Sequence, residues 1–270
     1  MHLLLPPSEG KASPTEGPTF DLDRLSFSEL NDARKLVLSA LIDVSNREDA
    51  ARILKVGAKG AHEIVAQRDI LSAPCASAHE VYTGVLYEAA QLRHDDDVLI
   101  FSGLFGVTQG SDLIPSYRLS MNVSLPGIGP LKAFWRKQLA GWTPDNGFAD
   151  GSEMPARTTN GNAITDATMQ ESSISGFVRN DDVTVDLRSE LYRVTKPDPS
   201  SENSQWWSVR IADSRNKTIS HMAKYYRGLL TRALLDSPTQ PVVEVARNLG
   251  TVSTKIENGI QHLTLVPFGM

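Results

Sequence analysis

The stretch Phe101–Met121, FSGLFGVTQGSDLIPSYRLSM, gathers residue types able to do chemistry more densely than its surroundings. Gly103, Gly106 and Gly110 interrupt an apolar context, and Asp112, Pro115, Tyr117 and Arg118 follow closely. A strand that ends in small residues, here Ser102 and Gly103, opens backbone N–H groups to a ligand. An arginine held beside a tyrosine makes a planar, two-pronged anion clamp. The competing reading is a tight turn with Arg118 in a structural salt bridge.

Three further segments offer similar groups. Pro6-Pro7-Ser8-Glu9-Gly10-Lys11 follows an expected first strand, with a hydroxyl at Ser8 and a positive charge at Lys11. It lacks the spaced glycines and the Lys-Ser/Thr pair of a P-loop, and a solvent turn is the alternative. Asp186-Leu187-Arg188-Ser189-Glu190-Leu191-Tyr192 follows another expected strand. There Glu190 is either a general base or a partner for a cation. The late helix HMAKYYRGLLTR places Lys224 and Arg227 three residues apart on one face. Its Gly228 disfavours helix by roughly 1 kcal/mol against alanine, which suggests a close approach by a neighbour. A solvated basic face would explain the same residues.

Two glycine-turn segments compete for a helix-hairpin-helix reading, in which a helix N-terminus offers N–H groups to a DNA phosphate. Leu54–Ile64, LKVGAKGAHEI, has Gly57 and Gly60 in the turn, with Lys55 and Lys59 adding charge. LPGIGPLKA at 125–133 matches the usual hairpin letter for letter, but the strand-like SMNVS before it leaves no first helix. A strand-to-helix turn is expected at 125–131. The histidines form no H-x-x-x-H or His/Cys pair, no G-x-S-x-G elbow is present, and neither a metal nor a cofactor is expected. Cys75 is the single cysteine, which excludes a disulfide framework, and it reads as a buried thiol.

These groups need a scaffold to bring them together. Strands are expected at His2–Leu5, Asp97–Ser102, Asn122–Leu125, Val183–Leu187, Trp206–Ile211 and Gln261–Val266. Helices are expected at Phe27–Asn46 (Ser28 capping), Glu48–Leu54, Gly60–Gln67, Leu131–Ala140, Ile219–Leu235 and Glu244–Asn248. A turn and a helix share His79–Ala90, with Tyr82-Thr83-Gly84 in the turn. The order implies a mixed α/β (α+β) fold, one domain over 1–270, its mixed sheet flanked by helices. The polar stretch 143–182 reads as a surface insertion. At 40% hydrophobic residues the 270-residue chain can bury a large core. No run approaches the ~20 apolar residues of a membrane span. The short apolar start has no basic n-region, so no secretory signal is expected and the cytoplasm is the expected compartment. A net charge of −5 argues against a surface coated for nucleic acid, although a local basic cleft still responds to its own field.

Taken together, PPSEGK at 6–11, VYTG at 81–84, the 101–121 segment, FW at 134–135, DLRSELY at 186–192 and KYYRGLLTR at 224–232 resemble the YaaA family of peroxide stress resistance proteins. The PPSEGK start resembles an actinobacterial-type branch. The resemblance implies a cytosolic protein that protects against hydrogen peroxide by limiting free iron and the damage it causes. It also implies DNA binding, not sequence-specific, through a helix-hairpin-helix element at 54–64 and a basic cleft drawing on Lys11, Arg118, Lys224 and Arg227. A monomer is expected. The polar stretch at 143–182 is longer than the family usually needs. A second expectation comes from the residues themselves. Ser8, Tyr82, Thr83, Ser102, Gly103, Tyr117, Glu190 and Tyr192, with the cleft cations, make a pocket for a small anionic ligand. The chain would then be an enzyme acting on a nucleotide or nucleobase-like substrate.

Overall fold

The computed structural model describes residues 1–144, 147–148, 183–197, 205–215, 217 and 220–269. The expected insertion at 143–182 therefore lies almost wholly outside the described residues. The main sheet has seven strands: β1 His2–Leu5, β2 Val98–Ser102, β3 Gly106–Gln109, β4 Val183–Asp186, β5 Gln205–Ile211, β6 Gly250–Glu257 and β7 Ile260–Pro267. Their spatial order is β6-β7-β5-β4-β1-β2-β3. The five inner strands run parallel, and an antiparallel partner closes each edge. The helices are α1 Asn31–Ser45, α2 Ala50–Leu54, α3 Ala61–Ala66, α4 Ala78–Val81, α5 Val85–Ala90, α6 Leu131–Gln138, α7 Ser220–Asp236 and α8 Val242–Arg247.

The continuous apolar run VLIFS of β2 is buried along its whole length, as a parallel strand covered on both faces must be. Leu3, Leu4 and Leu5 of β1 are likewise buried. On α1 the core side is Ala33, Val37, Leu38, Leu41 and Val44, while Leu36 points to solvent. The helix starts later than its pattern suggests. Phe27 takes a left-handed conformation, Ser28–Leu30 form a 3-10 turn, and no side chain caps α1. At 124–130, Ser124–Leu125 pairs antiparallel with Gly129–Pro130 and α6 begins at Leu131, which makes LPGIGP a strand-to-helix turn. Strand β6 escapes the alternation pattern because it is an edge strand exposed along most of its length.

Much of the 101–121 segment is structural. Gly106 needs its φ of +73°, and a Cβ there would lie 2.5 Å from the Trp135 ring. Trp135 Nε1 donates to Gly103 O at 2.9 Å. Arg34, fully buried on α1, donates to the carbonyls of Phe105 (3.0 Å) and Val107 (2.7 Å), pinning the β2–β3 turn. Burial pulls its guanidinium down to about 10, so it stays charged at neutral pH.

Just past β4 a second buried arginine fixes the chain. Arg188 makes a two-pronged pair with Asp186 (2.8 and 2.9 Å), donates to Thr195 Oγ1 at 2.9 Å and lies 4.1 Å from the Phe101 ring centroid. Both partners are almost wholly excluded from solvent. Asp186→Ala leaves that guanidinium buried and unpaired. Urea unfolding should show a loss of roughly 3–5 kcal/mol, and much less when both residues are replaced by apolar ones of similar volume. A loss within about 0.5 kcal/mol, the scale of an ordinary surface change, would refute a structural role for the pair.

Candidate ligand cleft at the β1 and β4 strand ends

The chain passes from β1 to β2 on one side and later returns to β4 on the other, so its winding reverses between β1 and β4. In open α/β sheets the crevice beyond the carboxyl ends of the strands at such a point is the preferred ligand site. Here those ends feed the 6–11 loop and the 187–192 loop. Pro6 and Pro7 lack N–H groups and cannot extend the ladder. The following loop docks on the 81–84 segment. Lys11 bridges Tyr82, Ala12 N donates to Val81 O (2.9 Å), and the Ser8 hydroxyl accepts from Thr83 N (3.0 Å) while donating to Gly10 O. A Cβ on Gly10 would sit 3.2 Å from Thr83 Oγ1.

A cavity of about 380 Å³ opens between these loops. Its walls include Pro6–Gly10, Thr83–Tyr87, Ser120, Asn122, Ser189, Leu191, Tyr192, Lys224 and Arg227. A smaller recess of about 100 Å³ adjoins it and shares Ser8, Glu9, Ser120, Asn122 and Tyr192. Lys11, Lys55 and Arg118 line that recess.

Lys11 has an unusual setting. Its Nζ donates to Ser8 O at 3.0 Å and lies 4.4 Å from the Tyr117 ring centroid and 5.5 Å from that of Tyr82. The ring faces favour an ammonium, and Glu63 and Glu9 act in the same direction. Loss of water on burial, then the charge of Arg118, outweigh them and bring Lys11 down to about 7. Behind it the Tyr82 and Tyr117 hydroxyls are 2.6 Å apart, and the nearby Ser102 hydroxyl accepts from Phe105 N at 3.0 Å. Burial holds both phenols well above their ordinary range, so both stay neutral.

Arg118 is oriented from several sides. Its N–H donates to Gln67 Oε1 (2.9 Å), and its guanidinium donates to Glu9 O (3.2 Å) and lies 3.4 Å from Glu63 of α3. At the other end of the cleft Arg227 is half-buried and its Nε has no hydrogen-bond partner among the described residues. Burial first, then the charge of Arg193, lowers its guanidinium to about 10 against the pull of Asp186. A buried donor without a partner is costly. Lys224, one turn earlier, is exposed. Tyr192 lines both recesses, as do Ser120 and Asn122, and burial raises its phenol above the ordinary range.

Ser8, Lys11, Lys55, Thr83, Arg118, Tyr192, Lys224 and Arg227 thus line one continuous cleft. Tyr82, Ser102 and Tyr117 back it. Glu190 does not line it; its exposed carboxylate pairs with Lys132 and Arg193 at 3.8 Å each. Gly103 is a packing position, where a Cβ would lie 3.0 Å from Leu119 O. In the 54–64 segment α2 and α3 are joined by a turn whose left-handed residue is Lys55 rather than a glycine. Lys55 Nζ donates to Asn122 O at 2.6 Å. Gly57 has open space around it, and Gly60 is crowded by Val56. Tyr87, Ser120 and Asn122 were not singled out by spacing. Ser120 sits inside the 101–121 segment, but nothing local marks Tyr87, whose hydroxyl donates to Pro6 O at 2.8 Å. Cys75 is buried and its thiol is pushed up to about 11, so it stays protonated. Among the described residues no helix is long and apolar enough to cross a membrane, and no three His, Cys, Asp or Glu are grouped to hold a metal ion.

Fold and cleft together define an α/β protein whose mixed sheet reverses its winding beside a cleft lined by several cationic side chains. Residues 1–248 match the family described as peroxide stress protein YaaA, and the chain belongs to that family. It is 35% identical over 278 residues to a UPF0246 protein of Corynebacterium efficiens, covering 98% of this chain and 100% of that one. It is also 32% identical over 267 residues to a UPF0246 protein of Streptomyces coelicolor (93% and 90% covered). An uncharacterized protein of Campylobacter jejuni is 22% identical over 261 residues.

The lowered Lys11 value has a stability consequence. Below about 7 the ammonium is present in both the folded and the unfolded chain. Between about 7 and 10.5 only the unfolded chain holds the proton, so this group makes stability rise with pH across that window. Lys11→Met should remove the rise. Urea unfolding of both proteins at about pH 6 and about pH 9 checks it, and an identical pH dependence in the two would refute the assignment.

Proposed function

We propose that this protein serves peroxide defence by binding a nucleotide unit in the cleft, with the phosphate held by its arginines and lysines. The observation that carries the reading is that Lys224 and Arg227 line the same cavity as Ser8, Ser120 and Asn122, at the reversal point of the sheet. The main cavity, about 380 Å³, falls within the ~300–1,000 Å³ of typical ligand pockets. Hydroxyl and amide side chains on its walls suit the edges of a base or sugar. The nucleotide is either free, with the chain acting as an enzyme, or part of a DNA strand, as the family resemblance implies. The DNA form would extend the grip to Lys55 and Lys59 at 54–64, take place in the cytosol and shield DNA from iron-dependent damage. Supporting the free form, Arg118 is partly neutralised by Glu63 and Glu9, and the whole chain is acidic. Both features weaken a grip on many phosphates.

Calorimetry with nucleoside monophosphates and with a short single-stranded oligonucleotide tests this. Arg227→Ala should weaken both by about tenfold to a hundredfold, the worth of one charge-assisted hydrogen bond. No binding of either probe, or unchanged binding in the variant, would refute the reading. The salt series separates its two forms. A strand held through several phosphates loses affinity with a log–log slope of about −0.7 per phosphate, and Lys55→Ala with Lys59→Ala flattens that slope. A free nucleotide shows a shallow slope that the double variant leaves alone.

A further inference from the structure

Lys11 asks for an explanation beyond anion binding. A lysine that only anchors the fold is normally ion-paired, yet among the described residues no carboxylate forms an ion pair with this one. A lysine that only attracts phosphate does best fully charged and hydrated. Lys11 is instead drawn out of water between two tyrosine faces, with Arg118 beside it and a single carbonyl, Ser8 O, accepting from it. Desolvation and a neighbouring cation are the two conditions that turn a lysine into a nucleophile near neutral pH.

We propose that the Lys11 amine forms an imine with the aldehyde of a ring-opened, phosphate-bearing sugar held in the cleft. This rests on the nucleotide reading and deepens it by naming the substrate as the sugar phosphate part of a nucleotide that has already lost its base, whose C1 aldehyde is the reacting centre. The nitrogen lone pair forms a bond to the carbonyl carbon, and the carbonyl electron pair moves to oxygen, which takes a proton from water. The nitrogen returns a proton to water. The carbinolamine then loses its hydroxyl as water as the C=N bond forms. One amine and one aldehyde give one imine and one water, with no change of oxidation state, and hydrolysis reverses the step. Arg118, lining the same recess, is placed to hold the sugar's phosphate. With the amine brought to about 7, a large share of it is free to attack at neutral pH, whereas exposed lysines are almost wholly protonated.

Such an aldehyde has two sources, a free sugar phosphate and a sugar in DNA that has lost its base. The full-length protein is incubated with cyanoborohydride and either ribose 5-phosphate or a single-stranded oligonucleotide carrying one abasic deoxyribose. The expected result is a mass gain of one probe less one oxygen atom, mapped to Lys11 by peptide analysis. Its rate should rise with pH and level off just above about 7. Lys11→Arg keeps the charge but removes the amine, and should abolish the adduct. Whichever probe reacts identifies the source. Labelling spread over exposed lysines, an equal adduct in Lys11→Arg, or no adduct with either probe while nucleotides still bind would overturn the imine and leave the nucleotide reading standing. Loss of nucleotide binding by the unaltered chain would strike that reading instead. The peptide map and the pH profile are read on the unaltered protein, so the decision does not depend on the variant folding.

Discussion

The buried pair of Asp186 and Arg188 is the interaction on which the cleft depends. Asp186 ends β4, and Arg188 turns back to it with two hydrogen bonds, a third bond to Thr195 and a ring contact with Phe101. Two strands and the loop that follows are thereby held to one charged group. A buried ion pair seldom adds much net stability over an apolar isostere. What this one does add is geometry, because a bidentate arginine allows little freedom of register or direction. Ser189, Leu191 and Tyr192 follow within four residues and form a wall of the cavity. Residual negative potential from Asp186 also reaches Arg227 and Arg193.

The cleft shows how an acidic chain can carry a cationic site. Its positive groups are few, and they are distributed around two connected recesses. Arg118 is steadied by Glu63 and Glu9, and Arg227 keeps an unpartnered Nε. Exclusion of water, more than the number of charges, sets the strength of these groups toward a ligand. The same exclusion explains why Lys11 and the two tyrosines behind it depart from ordinary titration in opposite directions: burial disfavours the charged form of each, an ammonium in one case and phenolates in the others.

The parallel centre of the sheet was legible because β1 and β2 are continuous apolar runs of strand length, and β4 and β5 are bounded by changes in composition. The hairpin at either edge was not. Strand β3 hides inside a glycine-rich segment that reads equally as turn, and β6 has no apolar face to alternate. Within Phe101–Met121 the glycines and the later residues take different places. Gly103, Gly106 and Gly110 serve packing against Leu119, Trp135 and His79, whereas Arg118 and Ser120 reach the cleft. Strand-end position was the signal that brought Ser8, Lys11, Lys224 and Arg227 to notice. It misplaced Glu190, since a loop residue two positions past a buried arginine is free to turn outward. The closeness of Lys11 to Tyr117 had no local signature, because it arises only when β1 and β2 lie side by side.

Gly228 closes α7 onto α5 so tightly that a Cβ would sit 2.2 Å from Leu86 O. That crossing lies one residue beyond Arg227 and beside the Thr83–Tyr87 wall. A side chain at 228 would therefore push α7 from α5, and with it Arg227 from the Thr83–Tyr87 wall.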